Sequence, residues 1–367
     1  MNPRSFPRRV MVAVTGLSPQ VVTETLFALA VGAPDPWVPT EVRLITTTAG
    51  ERQARESLLS EDPGWFHRLV RDYDLPPIRF DTDCLQVLKD AAGVPLSDIR
   101  THADGLAAAD QICALVRGLC ADAGCALHVS IAGGRKTMGY SVGHALGLFG
   151  RPQDRLSHVL ISDPFESCRE FFYPSPTRRM VATREGMADA RDADVSLADI
   201  PFLRLRDGLP RRLIDGDTGF GEYIEAAQRA LAPPNLLLNI AEGAVYASGE
   251  RVGMPPAQFA FYLMMAEQRR AGIDGLRWDD DGVAHQFLRV YRRLAVAGDV
   301  ERAEAALAAG MTKEYFEQRK TLSNAALKDV LGPQLARPYL IVRSGKRPRS
   351  RFGLQLDPEA IEIQLPH

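Results

Sequence analysis

Five short apolar segments separated by helix-length stretches fill the first half of the chain, and that alternation leaves few folds open. Strands are predicted over residues 10–14, 42–47, 78–80, 126–131 and 158–161, and helices over 19–31, 51–60, 65–73, 102–123 and 136–149. Strands that are apolar throughout need cover on both faces, and intervening helices supply it. The sheet is therefore parallel and the layout a Rossmann-like α/β domain. Ligands of such sheets bind beyond the carboxyl ends of the strands, where the strand order reverses. Turns at those ends fall at 15–18, 46–50 and 132–137.

The first turn carries the clearest chemistry. A buried-looking strand runs into Thr15-Gly16-Leu17, and Ser18 reads as a helix N-cap with Pro19 at the first helical position. A strand–turn–helix of this kind aims free N–H groups and a positive dipole end at whatever sits above the strand, which is a phosphate site in outline. Neither GxGxxG nor GxxxxGK[ST] is present, so the expected ligand bears phosphate but is not an ordinary dinucleotide or ATP. No metal and no cofactor are expected.

The second turn lies in Ser130-Ile131-Ala132-Gly133-Gly134-Arg135-Lys136-Thr137-Met138. Gly133 and Gly134 let the backbone approach a ligand closely, Arg135 can fork onto a phosphate, and Lys136 offers a mobile charge. The glycine positions of a P-loop hold Arg135 and Ser130, so that motif fails. Standing alone, the segment is also a glycine-rich helix start with solvated cations; two phosphate-friendly turns on one sheet weigh against that. At the third turn, Thr47 and Thr48 are weaker candidates, since threonines commonly end strands. Gln20 is added from the first helix. His128, inside a strand, reads as a core or interface histidine, and His144 as structural. Residues 163–166, Asp-Pro-Phe-Glu, can approach the same rim but lack a partner at defined spacing.

The rest of the chain changes character near residue 213, which sets expected domains of 1–212 and 213–367. Residues 174–194 read as an exposed loop and 200–203 as a late strand of the first domain. Beyond lie a helix (220–231), a hairpin (236–240 with 244–247), helices over 255–270, 284–296, 300–309 and 313–331, and short strands near 339–342 and 351–356. The net charge of −2 gives no global argument for nucleic acid. Within 311–355, however, ten Lys/Arg face three acids, and Lys320, Arg343, Lys346, Arg347 and Arg349 suit DNA phosphate contacts. A solvated tip or a dimer contact is the competing reading. Residues 236–272, a hairpin followed by Met-Pro-Pro-Ala-Gln-Phe-Ala, are similar to the opening of response-regulator-type winged-helix domains. The helical insertion near 273–310 departs from the small version of that fold. Five cysteines (84, 113, 120, 125, 168) show no CxxC and no zinc spacing, and Cys113 and Cys120, seven apart, are expected on one buried helix face. Reduced thiols, no membrane-length apolar run and a basic start leading into a strand point to a cytoplasmic protein.

Residues 14–25 and 130–138 together closely resemble the CRISPR-associated Rossmann-fold (CARF) proteins. More narrowly they resemble the ring nuclease branch of type III CRISPR systems, as does Ser162-Asp163-Pro164-Phe165-Glu166-Ser167 ahead of Phe171-Phe172-Tyr173-Pro174. The resemblance covers about residues 8–210. It implies a homodimer that binds cyclic oligoadenylate, with cyclic tetra-adenylate the expected ring, across a two-fold axis. Ligand contacts are implied for Thr15, Gly16, Leu17, Ser18, Gly133, Gly134, Arg135, Lys136, Thr137 and Met138. Metal-free ring opening by the ribose 2′-OH is expected, with Lys136 first, and Arg135 and Ser18 assisting. Many relatives carry a C-terminal HEPN ribonuclease with Arg-x(4–6)-His. Here Arg277 and His285 in the C-terminal half lie too far apart; Arg151 to His158 has the spacing but leads into a strand of the Rossmann-like half and is a chance match, so that activity is not expected. The alternatives are a cyclic oligoadenylate-responsive DNA-binding regulator, with double-stranded DNA as partner, and a nucleotide-binding scaffold whose second domain only dimerises.

Overall fold

The computed structural model describes residues 2–365 apart from 167, 217–218, 295–296 and 346–349. The chain folds as two compact units, 1–206 and 207–367, with the stretch 217–220 belonging to the first. The expected boundary at 212 lies within the stretch 207–216, which belongs to the second unit.

The first unit runs β1 (Arg8–Val14), α1 (Gln20–Phe27), β2 (Glu41–Thr46), α2 (Thr48–Ala54), α3 (Trp65–Asp72), β3 (Leu85–Val87), α4 (His102–Ala121), β4 (Cys125–Ser130), α5 (Lys136–Phe149), β5 (Arg155–Ile161), β6 (Met180–Thr183), β7 (Gly186–Asp189) and β8 (Val195–Asp199). Its six-stranded sheet has the order β3-β2-β1-β4-β5-β8. The first five strands are parallel, and β8 lies antiparallel against β5. The central strands β1 and β4 are buried almost throughout, which is why they read as apolar runs. One face packs Met11, Ala13, Val22, Leu26, Leu44 and Phe66 into a single core. This is the Rossmann-like α/β layout the alternation predicts. At the start of α4, Thr101 and Asp104 form a reciprocal capping box. Cys113 and Cys120 share its buried face, and all five cysteines are free.

Three expectations are corrected. Residues 78–80 make only an isolated bridge, Arg79 to Glu41, and the ladder beside β2 is formed instead by β3. Pro76 and Pro77 carry no backbone N–H, and Phe80 turns into the core against Phe66. The loop expected over 174–194 contains the β6–β7 hairpin, turned through Gly186 at positive φ. The late strand sits at β8, just before 200–203, and Leu203 is exposed.

The second unit contains α6 (Arg211–Asp215), most of α7 (Phe220–Leu231), β9 (Leu236–Asn239), β10 (Ala244–Ala247), β11 (Glu250–Gly253), α8 (Pro256–Arg270), α9 (Val283–Tyr291), α10 (Ala297–Ala306), α11 (Lys313–Leu335), β12 (Val342–Ser344), β13 (Arg351–Gly353) and β14 (Ile361–Gln364). It is mostly helical. Every residue from Phe259 to Ala266 is buried, so α8 forms the centre of the core rather than one amphipathic face of it. The β9–β10 hairpin gains β11 on one side and the parallel strand β14 on the other. Neither added strand is evident from the chain's pattern, because four residues carry too little alternation. Gly332 (φ 79°) and Pro333 kink α11 close to its predicted end. No described helix is long and apolar enough to cross a membrane.

Candidate functional site

The strand order reverses between β1 and β4, and the turns leaving these two strands meet there. A Cβ added to Gly16 would lie 3.8 Å from the Gly134 Cα, and one on Gly133 would lie 2.8 Å from the Val14 carbonyl. The turn after β2 closes on the same point. A Cβ on Gly50 would sit 2.1 Å from Thr46 Oγ1 and 2.4 Å from the Gly16 carbonyl oxygen. Hydrogen bonds brace the group. Thr46 Oγ1 donates to the Thr15 carbonyl at 2.8 Å, and Thr15 Oγ1 donates to the Ser18 carbonyl at 2.7 Å. The three turns named from sequence are thus one structure, built backbone on backbone, with no room for a side chain at Gly50 or Gly133.

Its side chains divide between framework and free surface. Thr15 and Met138 are buried and support the turns. Thr47 caps α2 by accepting from the Gly50 N–H, and Thr48 Oγ1 donates to the Leu96 carbonyl, so both hydroxyls serve local structure. Ser18 departs from its expected role. The helix starts at Gln20 with Pro19 in the N-cap position and no side-chain cap, because Pro19 already adopts helical φ and ψ. The Ser18 hydroxyl is exposed and, among the described residues, has no hydrogen-bond partner. Leu17 and Thr137 are also exposed.

The two cations differ. Arg135 Nε donates to Asp98 Oδ1 at 2.9 Å and its Nη2 bonds Oδ2, so the fork expected to take a phosphate already holds a carboxylate. Arg135 holds the Asp98 carboxyl down to about 2. Asp98 lies in the loop before α4, outside every motif in the sequence. Lys136 is exposed, with no ion pair among the described residues, at the first position of α5. The first turn of α5 has no side-chain cap; Met138 N–H donates to the Arg135 carbonyl, and the N–H groups of Lys136 and Thr137 have no partner among the described residues.

Beside this turn cluster, a cavity of about 350 Å3 is lined by Ser18, Gln20, Val21 and Glu24, by Ala132, by residues 158–161 of β5 and by Glu166, Cys168 and Arg169. Glu24 is only 6% exposed, and burial pushes its carboxyl up to about 8. It was not singled out from sequence, although it is the only charged residue between positions 19 and 31. Glu166, from the Asp-Pro-Phe-Glu segment, does reach this rim.

The remaining candidates are structural. His128 is buried with Nε2 2.7 Å from Ser157 Oγ, and burial lowers its imidazole to about 4. His144 packs between the rings of Tyr140 and Phe220. Arg151 is held in the core by Asp154. In the second unit, Lys320 bonds Glu317 and lies 4.2 Å from the Phe352 ring centroid. Arg343 is exposed on β12, while Lys346, Arg347 and Arg349 lie outside the described residues. Among the described residues, no three of His, Cys, Asp and Glu cluster to hold a metal ion.

Residues 18–233 match the family described as CRISPR-associated protein NE0113 (Cas_NE0113). The chain belongs to this CRISPR-associated family. The matched segment begins at Ser18 and includes α1, the β4–α5 turn and every residue lining the cavity. The family's shared region therefore contains most of the candidate site. No curated protein matches the chain.

Proposed function

We propose that this CRISPR-associated protein binds cyclic oligoadenylate at the paired turns of a homodimer and opens the ring without metal. The observation that carries the reading is the placement of an unpartnered Ser18 hydroxyl and an unpaired Lys136 on two turns that touch at the β1–β4 switch point. The family membership supports it, since it places the chain among CRISPR-associated proteins.

The substrate carries its own nucleophile. A ribose 2′-oxygen bonds to the adjacent phosphorus while the bond from phosphorus to the 5′-oxygen breaks. The 2′-hydroxyl proton leaves to solvent, and the departing 5′-oxygen takes one up. The products are linear oligoadenylates ending in a 2′,3′-cyclic phosphate. The protein holds the attack in line and stabilises charge growing on the phosphoryl oxygens. Lys136 and the free N–H groups of Lys136 and Thr137 at the start of α5 oppose that charge, and Ser18 orients the 2′-OH or a phosphate oxygen. Arg135 contributes after exchanging Asp98 for phosphate. Leu17 and Tyr140, 71% and 65% exposed, provide apolar area beside the site for a second copy.

The test is incubation with cyclic tetra- and hexa-adenylate in EDTA, resolving products over time. Linear products with a cyclic phosphate end are expected, and a strict requirement for divalent metal sinks the mechanism. The second reading, a ligand-responsive DNA-binding regulator with a winged helix, draws on the β12–β13 hairpin and exposed Arg343. Tight ring binding without turnover, with a salt-sensitive shift of promoter DNA, favours it.

A further inference from the structure

Two unmatched polar groups share the cavity beside Ser18. Glu24 is buried and makes no side-chain hydrogen bond or ion pair among the described residues. Gln20 lies one turn earlier on the same helix face. Its Nε2 donates to the Arg169 carbonyl at 2.9 Å, which fixes the amide and leaves a buried Oε1 with no donor. Native interiors rarely leave an atom such as Gln20 Oε1 unmatched, and the Glu24 carboxyl opens onto the same cavity, so together they point to a ligand that supplies the missing partners. The apolar side chains of Val21, Val159 and Ile161 also line the space, whose volume of about 350 Å3 suits a single flat ring system.

Resting on the cyclic oligoadenylate reading, we propose that this cavity is a base subsite in which Glu24 and Gln20 read the amino edge of adenine. Buried and without an ion pair among the described residues, the carboxyl keeps its proton, and so presents one donor and one acceptor together. That pair complements adenine N1, an acceptor, and the N6 amino group, a donor. The second N6 hydrogen satisfies Gln20 Oε1. Guanine sets a keto oxygen against Gln20 Oε1, acceptor facing acceptor. Once ionised, Glu24 offers only lone pairs to N1, so adenine binding weakens as pH rises through its titration near 8. The other titratable groups on the cavity are His158 on β5 and Glu166, Cys168 and Arg169 beyond it.

The experiment measures binding of adenosine and guanosine 5′-monophosphate and of cyclic tetra-adenylate between pH 6 and pH 9.5. It uses the full chain and the variants Glu24→Gln and Glu24→Ala, each checked by thermal unfolding. The unsubstituted protein is expected to prefer adenine and to lose about tenfold in affinity per pH unit above the titration. Glu24→Gln keeps a donor and an acceptor, so it retains binding within a few-fold and flattens the pH profile. Glu24→Ala weakens adenine binding by roughly ten- to a hundredfold. Equal affinity of Glu24→Ala and the unsubstituted protein for both adenine ligands overturns the subsite, and leaves ring cleavage standing if cyclic tetra-adenylate is still opened. Adenosine monophosphate bound through Glu24 with no affinity for cyclic tetra-adenylate supports the subsite and overturns the ring-nuclease reading instead.

Discussion

Single residues at the switch point have unequal roles, and local pairing decides which. Arg135 and Lys136 are neighbours of like charge, yet Asp98 neutralises only the first. Lys136→Ala should therefore slow ring opening by about a hundredfold, the effect of removing one donor to a developing oxyanion. Single-turnover rates unchanged in that variant would falsify the assignment. Glu24 and His128 also shape stability. Native Glu24 retains a proton between about 4.5 and about 8, where an unfolded chain does not, so stability falls as pH rises through that window. Buried His128 stays neutral down to about 4 although its unfolded value is 6.5, so stability falls as pH drops from 6.5 towards 4. The two slopes oppose each other between 4.5 and 6.5 and leave a plateau there. Glu24→Gln should raise the thermal midpoint more at pH 8.5 than at pH 5; an equal gain at both would refute the buried titration.

Elements were legible to the extent that their pattern was long. Helix α5 and the buried strands β1 and β4 stand within two residues of their predicted bounds, because each carries enough apolar positions to mark its face. The short pieces β3, β8 and the β6–β7 hairpin were not, since three to five residues fit several pairings and the neighbouring strand selects one. The convergence of the three turns depends on close approach. Gly50→Ala puts a methyl against Thr46 Oγ1 and the fixed Gly16 carbonyl. It should cost about 1–3 kcal/mol, read as a lower urea midpoint, and weaken ligand binding as the first turn shifts. A midpoint equal to that of the unsubstituted protein would show that these turns can separate freely.

As a whole molecule, the proposed enzyme is a symmetric pair presenting the same turns twice to one ring. Sedimentation should give twice the monomer mass, and Leu17→Asp should shift the protein towards monomer with loss of ring opening. A monomeric, fully active chain would contradict the arrangement. The alternation of strands and helices, the strand–turn–helix at Ser18 and the Gly-Gly-Arg-Lys turn are written in consecutive residues, so fold class and the neighbourhood of the site could be read directly. Which cation stays free, whether Ser18 caps its helix, and why Glu24 keeps its proton could not be. Asp98 meets Arg135 across 37 positions, and Glu24 loses water only when α1 settles on the sheet. Pairing and desolvation arise from distance and packing in space, and neither is a property of neighbouring letters in a chain.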